Sequence, residues 1–408
     1  VTPRRILIAT QTFPPDLGGM EGLMGGLAAS LAAEGHAVEV FADRIRSGRA
    51  ELVAPGFALR RFGGPRPLRR LLKRMAIARA LRGGPPAAVI ADSWKSVAAM
   101  PREVGAAMPR EVGAALPREV GAALPREVGG ALRRDVGAAP LLVLAHGMEF
   151  PPDVSPGKAA RIRAALLRAT AVAANSGFTL DLLAPHLPRG MRCAVVPPPI
   201  APQPEPSEAD LAAARAAAGP GGPFLLTLAR LEPRKGVDML IRALPGLAAS
   251  HPGITLLVAG DGPDRARLAA LAAEAGVAAR VQFLGRIEEG MKAALFRSAD
   301  LFAMPTRREG ASVEGFGIVY LEAAWHSLPA LAGRDGGAAE AIADGETGLL
   351  CDGADPAAVE ATLVALLGDP DGLRAMGARA AARVRTAFLW PAVLPRYLGL
   401  LAPPGQEG

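Results

Sequence analysis

Two glutamates, Glu314 and Glu322, bracket the stretch EGFGIVYLE, and a basic pair, Arg230 and Lys235, stands upstream in LARLEPRKG. Carboxylates accept hydrogen bonds from hydroxyls, and fixed cations meet anions. If the run is helical from about Gly317, the two acids lie up to ~12 Å apart at 1.5 Å per residue. A retaining glycosidase sets its carboxylates only ~5–5.5 Å apart, so these are not a nucleophile and acid pair. Gly315 and Gly317 instead let backbone N–H groups approach a ligand closely. The helix opening near Gly317 turns unpaired donors and a positive dipole end toward a diphosphate. Glu314, ahead of that helix, suits sugar hydroxyls, and Glu322, further along it, suits a ribose diol.

The lysine at 235 is informative because the basic residues are almost all arginine; the lysines are Lys73, Lys95, Lys158, Lys235 and Lys292. FLLTLAR ends in Arg230, and ligands of open α/β sheets gather beyond the carboxyl ends of strands. Arg230 and Lys235 are therefore placed to meet an anion. The next apolar run ends as LLVAGDGPDRARL, where Gly260, Asp261 and Gly262 make a tight turn, and VQFLGRIEEG places Arg286 and Ile287 just past another strand end. Such loops take a nucleotide base or ribose through backbone contacts. In the first half, His146 follows LLVLA and precedes a glycine, a strand-end setting that His36, His186, His251 and His326 lack. Cys193 and Cys351 stand far apart and read as free thiols. No aspartate pair looks like a metal site, and no cofactor is expected.

The elements that must position these residues follow from hydrophobic period. Short apolar runs without polar alternation, such as RILIAT, AVEVFA, AAVIAD and LLVLAHG, and later FLLTLAR, ITLLVAGDG and DLFAMP, alternate with Ala-rich helical stretches. Such runs belong to parallel strands buried on both faces. The fold class is α/β, and 408 residues exceed one ordinary core. Two Rossmann-like, doubly wound halves facing across a cleft are expected. The proline-rich PPPIAPQPEPSEAD breaks them, giving a first domain over residues 1–197, a linker over 198–222 and a second domain over 223–385. Residues 386–408 read as a crossover helix, FLWPAVLPRYLGLLAPP, packing back across the gap, with a frayed tail. An octapeptide repeat of the PREVGAAL type fills residues 101–132 and reads as a passive expansion inside one crossover connection.

The net charge is +7, from 46 basic and 39 acidic residues. The arginine bias weakens any nucleic-acid reading, and 4% aromatics argue against a stacking platform for single strands. The N-terminal apolar run is too short for a signal segment, no run reaches a membrane span of ~18 residues, and a cytoplasmic protein is expected. From Leu52 to Ala91 there is no acidic residue, while nine basic ones lie between Arg60 and Arg82. A basic amphipathic helix carrying Arg69, Arg70, Lys73 and Arg74 either lies on anionic lipid or is simply solvated.

Together these residues resemble the retaining glycosyltransferases of family 4, which have the two-Rossmann GT-B fold. The matching pieces are LGGMEG, EGHAVEV, LAHGMEF, LARLEPRKGVDMLIRAL, AGDGPDRARL, VQFLGR, EGFGIVYLEA and GGAAEAIADGETGLL, spread over nearly the whole chain. The resemblance implies that Arg230 and Lys235 bind the donor diphosphate, Glu314 the transferred sugar and Glu322 the nucleotide ribose. It implies that the amides of Phe316 and Gly317 hold sugar and phosphate, that Gly19 closes over the phosphates, and that His146 reaches the donor sugar from the opposite domain. It also implies that the first domain is the acceptor side and the second the donor domain, and that transfer is metal-free with retention. GASVEGFGIVYLEA and GRDGGAAEAIADGETG resemble the mannosyltransferase branch, with GDP-mannose as donor and a UDP-sugar such as UDP-glucose as the alternative. A lipid-linked, phospholipid or glycan acceptor and peripheral attachment at the inner membrane face follow from the same resemblance. The departures are Trp325 and His326 in EAAWHSLPA, where small residues are usual, and the octapeptide expansion. The reading from a different class is a catalytically silent scaffold that uses the repeat arm.

Overall fold

The computed structural model describes residues 3–16, 18–45, 56–105, 139–151, 153–219 and 221–402. Residues 106–138, which hold most of the octapeptide repeat, lie outside the described residues, as does the tail after residue 402.

The first half builds a seven-stranded sheet from β1 (Arg5–Ala9), β2 (Ala37–Asp43), β3 (Ala58–Phe62), β4 (Ala88–Ala91), β5 (Leu141–Ala145), β6 (Ala171–Ala174) and β7 (Arg192–Val195). Its order is β3-β2-β1-β4-β5-β6-β7, every pair parallel. The second half builds six parallel strands, β8 (Phe224–Leu228), β9 (Thr255–Ala259), β10 (Val281–Gly285), β11 (Leu301–Met304), β12 (Ala330–Gly333) and β13 (Gly348–Cys351), in the order β10-β9-β8-β11-β12-β13. The two doubly wound halves expected from the sequence are present. AVIA of β4 and LLVLA of β5 are buried at every position because helices cover both faces, which is why these strands show no polar alternation.

Each order reverses at one place, between β1 and β4 and between β8 and β11. Loops leaving the two strands on either side of such a switch point diverge and open a crevice at the carboxyl edge. Asp92 and the β1 loop at Thr10 lie at the first switch point, with His146 on the neighbouring strand end of β5. Arg230 and the long loop ending in Glu314 lie at the second.

The chain's last helix, Trp390–Leu401, returns to the first sheet. Its buried face of Trp390, Val393, Leu394, Tyr397 and Leu400 joins Leu23, Leu27 and Leu31 of the Gly19–Ala33 helix in one core cluster. At Gly26 a Cβ would stand 2.5 Å from the Trp390 indole nitrogen, so the two helices pack this closely only over a glycine. The backbone amide of Ile200 also donates to Phe388 O at 2.8 Å, tying the inter-domain segment to the start of the return.

His326, one of the departures from the family pattern, is buried and stacks on Phe296 at 6.0 Å between ring centres. Burial pushes its imidazole down from 6.5 to about 4, with Arg297, Lys292 and Arg385 adding to the burial effect and Glu205 opposing it. A ring held neutral by the fold contributes stability that is complete above pH 6.5 and is lost as pH falls toward 4. The loss should reach about 3 kcal/mol, at 1.36 kcal/mol per unit. Urea unfolding at pH 7 and pH 4 should show this difference between wild type and His326→Phe, and an equal acid response in both would rule it out.

Candidate active site

The second domain assembles its charged residues around Glu314. After β8 the chain makes a single 3-10 turn, Pro233–Lys235, closed by Gly236 at φ 71°. A Cβ on Gly236 would stand 2.0 Å from Pro305 O, so only glycine allows the turn to lie against the β11 loop. The turn presents two adjacent cations inward. Arg234 Nη1 lies 2.7 Å from Glu314 Oε2, and the Lys235 ammonium donates to the same oxygen. Burial works against the Glu314 charge, but Lys235 and Arg234 outweigh it and hold the carboxyl below its usual range. Glu314 is therefore an ionised acceptor at neutral pH.

A second pair secures the loop from behind. Arg307 binds both oxygens of Asp238 at 2.8 and 3.1 Å, and its backbone amide donates to Arg234 O at 3.0 Å. Asp238 begins the Val237–Ser250 helix, so this bidentate contact fixes the loop after β11 to the turn after β8.

Arg230, expected with Lys235 to meet an anion, stands outside the Glu314 cluster. Its side chain is 72% exposed and pairs with Glu232 at 3.1 Å, on the rim rather than on Glu314. Arg234, which the sequence reading passed over, takes the inner place. The signal was there in RLEPRK, where a proline starts a turn that carries two adjacent bases.

Gly317, at φ 86° and ψ 64°, caps the Ile318–Trp325 helix, and Tyr320 in its first turn donates its hydroxyl to Met304 O at 2.5 Å. Phe316 is buried and tilts against Phe388 at 6.2 Å. Across the cleft, Gly19 opens the Gly19–Ala33 helix, and a Cβ there would sit 3.2 Å from Ile318 Cδ1. Two helix N-termini, one from each domain, thus meet near Glu314, and each brings a positive dipole end toward that space.

The domains also touch here. Ser176 Oγ donates to Gly315 O at 2.8 Å, and the Gly177 and Phe178 amides donate to the Glu340 carboxylate at 2.8 and 3.0 Å. Gly315 lies so near the other domain that a Cβ would stand 2.1 Å from His146 O. The His146 ring Nε2 is 2.9 Å from Asp92 O. A carbonyl only accepts, so Nε2 carries the proton in this contact. Asp92 itself is buried and accepts from Gln11 N at 2.6 Å, Thr10 Oγ1 at 2.9 Å and Ser96 Oγ at 2.5 Å. One residue therefore joins the β1 loop to the strand-end histidine.

Residues 212–383 match the family model described as Glycosyl transferases group 1. This stretch is a group 1 glycosyltransferase domain. Over 157 residues the chain is 46% identical to the GDP-mannose-dependent alpha-(1-6)-phosphatidylinositol monomannoside mannosyltransferase of Mycolicibacterium smegmatis, covering 38% of this chain and 41% of that protein. Over 181 residues it is 40% identical to the GDP-mannose-dependent monoacylated alpha-(1-6)-phosphatidylinositol monomannoside mannosyltransferase of Corynebacterium glutamicum, covering 44% and 47%. The chain thus spans less than half the length of these curated relatives. Among solved structures, sucrose-phosphate synthase from Thermosynechococcus elongatus superposes with a TM-score of 0.72 at 21% identity, covering 97% of this chain and 98% of that one. WaaG, a glycosyltransferase involved in lipopolysaccharide biosynthesis, gives 0.65 at 19% identity, covering 99% and 100%. These two likenesses show the fold, which is GT-B, and the group 1 domain agrees with the resemblance read from the motifs.

The remaining expected residues surround the glycosyltransferase domain's strand ends. Gly260, at φ 115°, packs against Ala229 O, and Asp261 O accepts from Leu231 N at 3.1 Å, so the β9 loop lies against the β8 loop. Arg286 is exposed and Ile287 half-buried after β10. Glu322 Oε1 lies 3.0 Å from Lys292 Nζ, whose other partner is Glu289 at 2.8 Å. Burial opposes the charge on Lys292, yet Glu322 and Glu289 outweigh it and raise its pKa. The sequence reading gave Lys292 no role, although it is one of five lysines in an arginine-biased chain.

The basic helix Arg66–Arg82 requires a correction. Lys73 does not face lipid: it is buried, 2.6 Å from Asp43 Oδ1 and 2.7 Å from Thr10 O. Arg69 lies 2.9 Å from Asp43 Oδ2, and Arg74 donates to Ala98 O at 2.8 Å. Helical spacing puts Lys73, Ile77 and Ala80 on the core face, where the buried Asp43 carboxylate requires cations. Of the four basic residues singled out, Arg70 is the one fully turned outward. What faces out beside it is an apolar stripe, Leu68, Leu71, Leu72 and Met75, each at least 41% exposed.

Proposed function

We propose that this chain transfers mannose from GDP-mannose, with retention of anomeric configuration, to a hydroxyl of a lipid-linked, phospholipid or glycan acceptor. The observation that carries this reading is the ionised Glu314 carboxylate, gripped by Arg234 and Lys235 near the meeting of two helix N-termini. A sugar hydroxyl donates to Glu314, and the diphosphate meets positive charge and backbone amides. Charge growing on the leaving phosphate is then stabilised by donors fixed beforehand, Arg230 and Lys235 among them. The acceptor hydroxyl attacks from the face that the diphosphate leaves, and the phosphate takes up its proton. His146 orients the sugar through its carbonyl or ring, and contact between the domains excludes water. Arginine and lysine supply the positive charge, so transfer should persist in EDTA. The names of the mannosyltransferase relatives support GDP-mannose as donor, and a UDP-sugar is the alternative.

A thermal-shift panel of GDP, UDP, ADP and their sugar conjugates tests the reading. A ligand at ~100 times its dissociation constant adds ~2.7 kcal/mol to the folded state. A selective shift with GDP and GDP-mannose supports it, whereas a selective UDP shift moves the donor to a UDP-sugar. No shift with any nucleotide favours the silent scaffold.

Peripheral attachment at the inner face of a membrane belongs to the same reading. No helix among the described residues is long and apolar enough to cross a membrane. Leu68, Leu71, Leu72 and Met75 recur at one-face spacing on the Arg66–Arg82 helix, with exposed Arg66, Arg70, Arg79 and Arg82 available to anionic headgroups. Serine at both Leu71 and Met75 should weaken co-sedimentation with phosphatidylinositol-containing vesicles by at least about tenfold, from ~1.5–3 kcal/mol per fully buried side chain. Unchanged sedimentation would leave the helix simply solvated.

A further inference from the structure

Glu322 has one side-chain partner among the described residues, and that partner is Lys292. Lys292 stands in the first turn of the Glu289–Ser298 helix, directly after the β10 loop that carries Arg286 and Ile287. Its side chain is 13% exposed, and its ammonium lies between Glu322 at 3.0 Å and Glu289 at 2.8 Å. One cation between two carboxylates leaves a net charge of about −1 on the trio at neutral pH. Such a site repels phosphate and attracts hydroxyl donors.

The terminal torsion of a free glutamate is broad and roughly twofold. An ammonium on Oε1 fixes it, and Oε2 is then held in one place for a ligand. Vicinal hydroxyls are the group best matched to a fixed, ionised carboxylate, because both donate and neither brings charge into the site.

We infer that Lys292 is a positioning residue for nucleotide recognition: by holding Glu322 Oε1 it sets the carboxylate that selects a ribose diol over a deoxyribose. The inference rests on the proposed donor site and adds to it the residue that governs ribose selectivity. Lys292 acts through Glu322 and makes no contact with phosphate.

Calorimetric titration with GDP and with 2′-deoxy-GDP reads this directly. Wild type should bind GDP about tenfold or more tighter than 2′-deoxy-GDP, as expected for a hydrogen bond to a charged group. Lys292→Met should weaken GDP binding by about the same factor and leave 2′-deoxy-GDP nearly unchanged, bringing the two close to parity. Lys292→Arg, which keeps the cation, should restore much of the preference. In a Glu322→Gln background the Lys292→Met change should have no further effect on the ratio, and this holds the test open if the single variant folds poorly. Equal weakening of both nucleotides, or a preference left intact in Lys292→Met, would overturn the inference. Wild type that binds GDP without preferring it also overturns this inference and leaves the donor site standing. A folded wild type that binds neither nucleotide overturns the GDP donor site and this inference with it.

Discussion

Lys235→Ala is expected to lower kcat/KM for sugar transfer by about 10²–10³-fold, the loss typical of one fixed donor to a developing anion. The ammonium is buried against Glu314 and sits next to the Ile318–Trp325 helix N-terminus, so it contributes twice. It helps keep Glu314 ionised, and on the proposed reading it offers positive charge where the diphosphate would depart. Removing it leaves Arg234 on Glu314, so the carboxylate keeps one partner and the fold should hold. A loss of activity without a matching loss of melting temperature is therefore the expected pattern. The larger part should appear in kcat, because charge on the leaving phosphate grows only in the transition state. Arg230→Ala, on the exposed rim, should cost less than Lys235→Ala. Steady-state kinetics of the two variants checks both statements, and a Lys235→Ala enzyme within about threefold of wild type would refute the role given to this side chain.

Gly315→Ala should be nearly as damaging for a different reason. The added Cβ would meet His146 O at 2.1 Å and Asn175 Nδ2 at 3.2 Å, the first a backbone atom of the opposite domain that has no side-chain freedom. Relief requires the domains to part, which also stretches the Ser176 hydrogen bond to Gly315 O. A misplacement of about 1 Å costs on the order of 10² in rate when the reacting groups come from both sides of a cleft. Neither sheet's core is touched, so the melting temperature should stay close to that of wild type while small-angle scattering shows a larger radius of gyration. Gly157→Ala, where nothing lies within 4 Å of the new Cβ, serves as control. An active, compact Gly315→Ala protein would show that the contact between His146 and Gly315 is dispensable.

Much of the fold can be read in the chain because local physics carries it. Apolar runs such as LLVLA and FLLTL have no polar alternation since both sheet faces are covered, and the turn at Gly317 is marked by the need for a left-handed residue. The charged loops at 230–235 and 314 fall at strand ends, so their place at one edge of a parallel sheet is legible too. The basic helix was legible as a helix, but its polarity was misread at Lys73. Amphipathic spacing shows which residues share a face; it does not show whether a buried acid, here Asp43, waits beneath that face.

The sequence by itself determined the α/β class, the two halves, the glycosyltransferase motifs and the strand-end position of Glu314, Lys235 and His146. Tertiary structure decided the pairings: Arg234 and Lys235 on Glu314, Lys292 on Glu322, and Asp92 under His146. Periodicity and turn chemistry act between residues near in the chain, and a sequence displays them directly. Charge pairing acts between residues near in space. Here β11 lies beside β8, and β4 between β1 and β5, only because the strand order reverses at the two switch points.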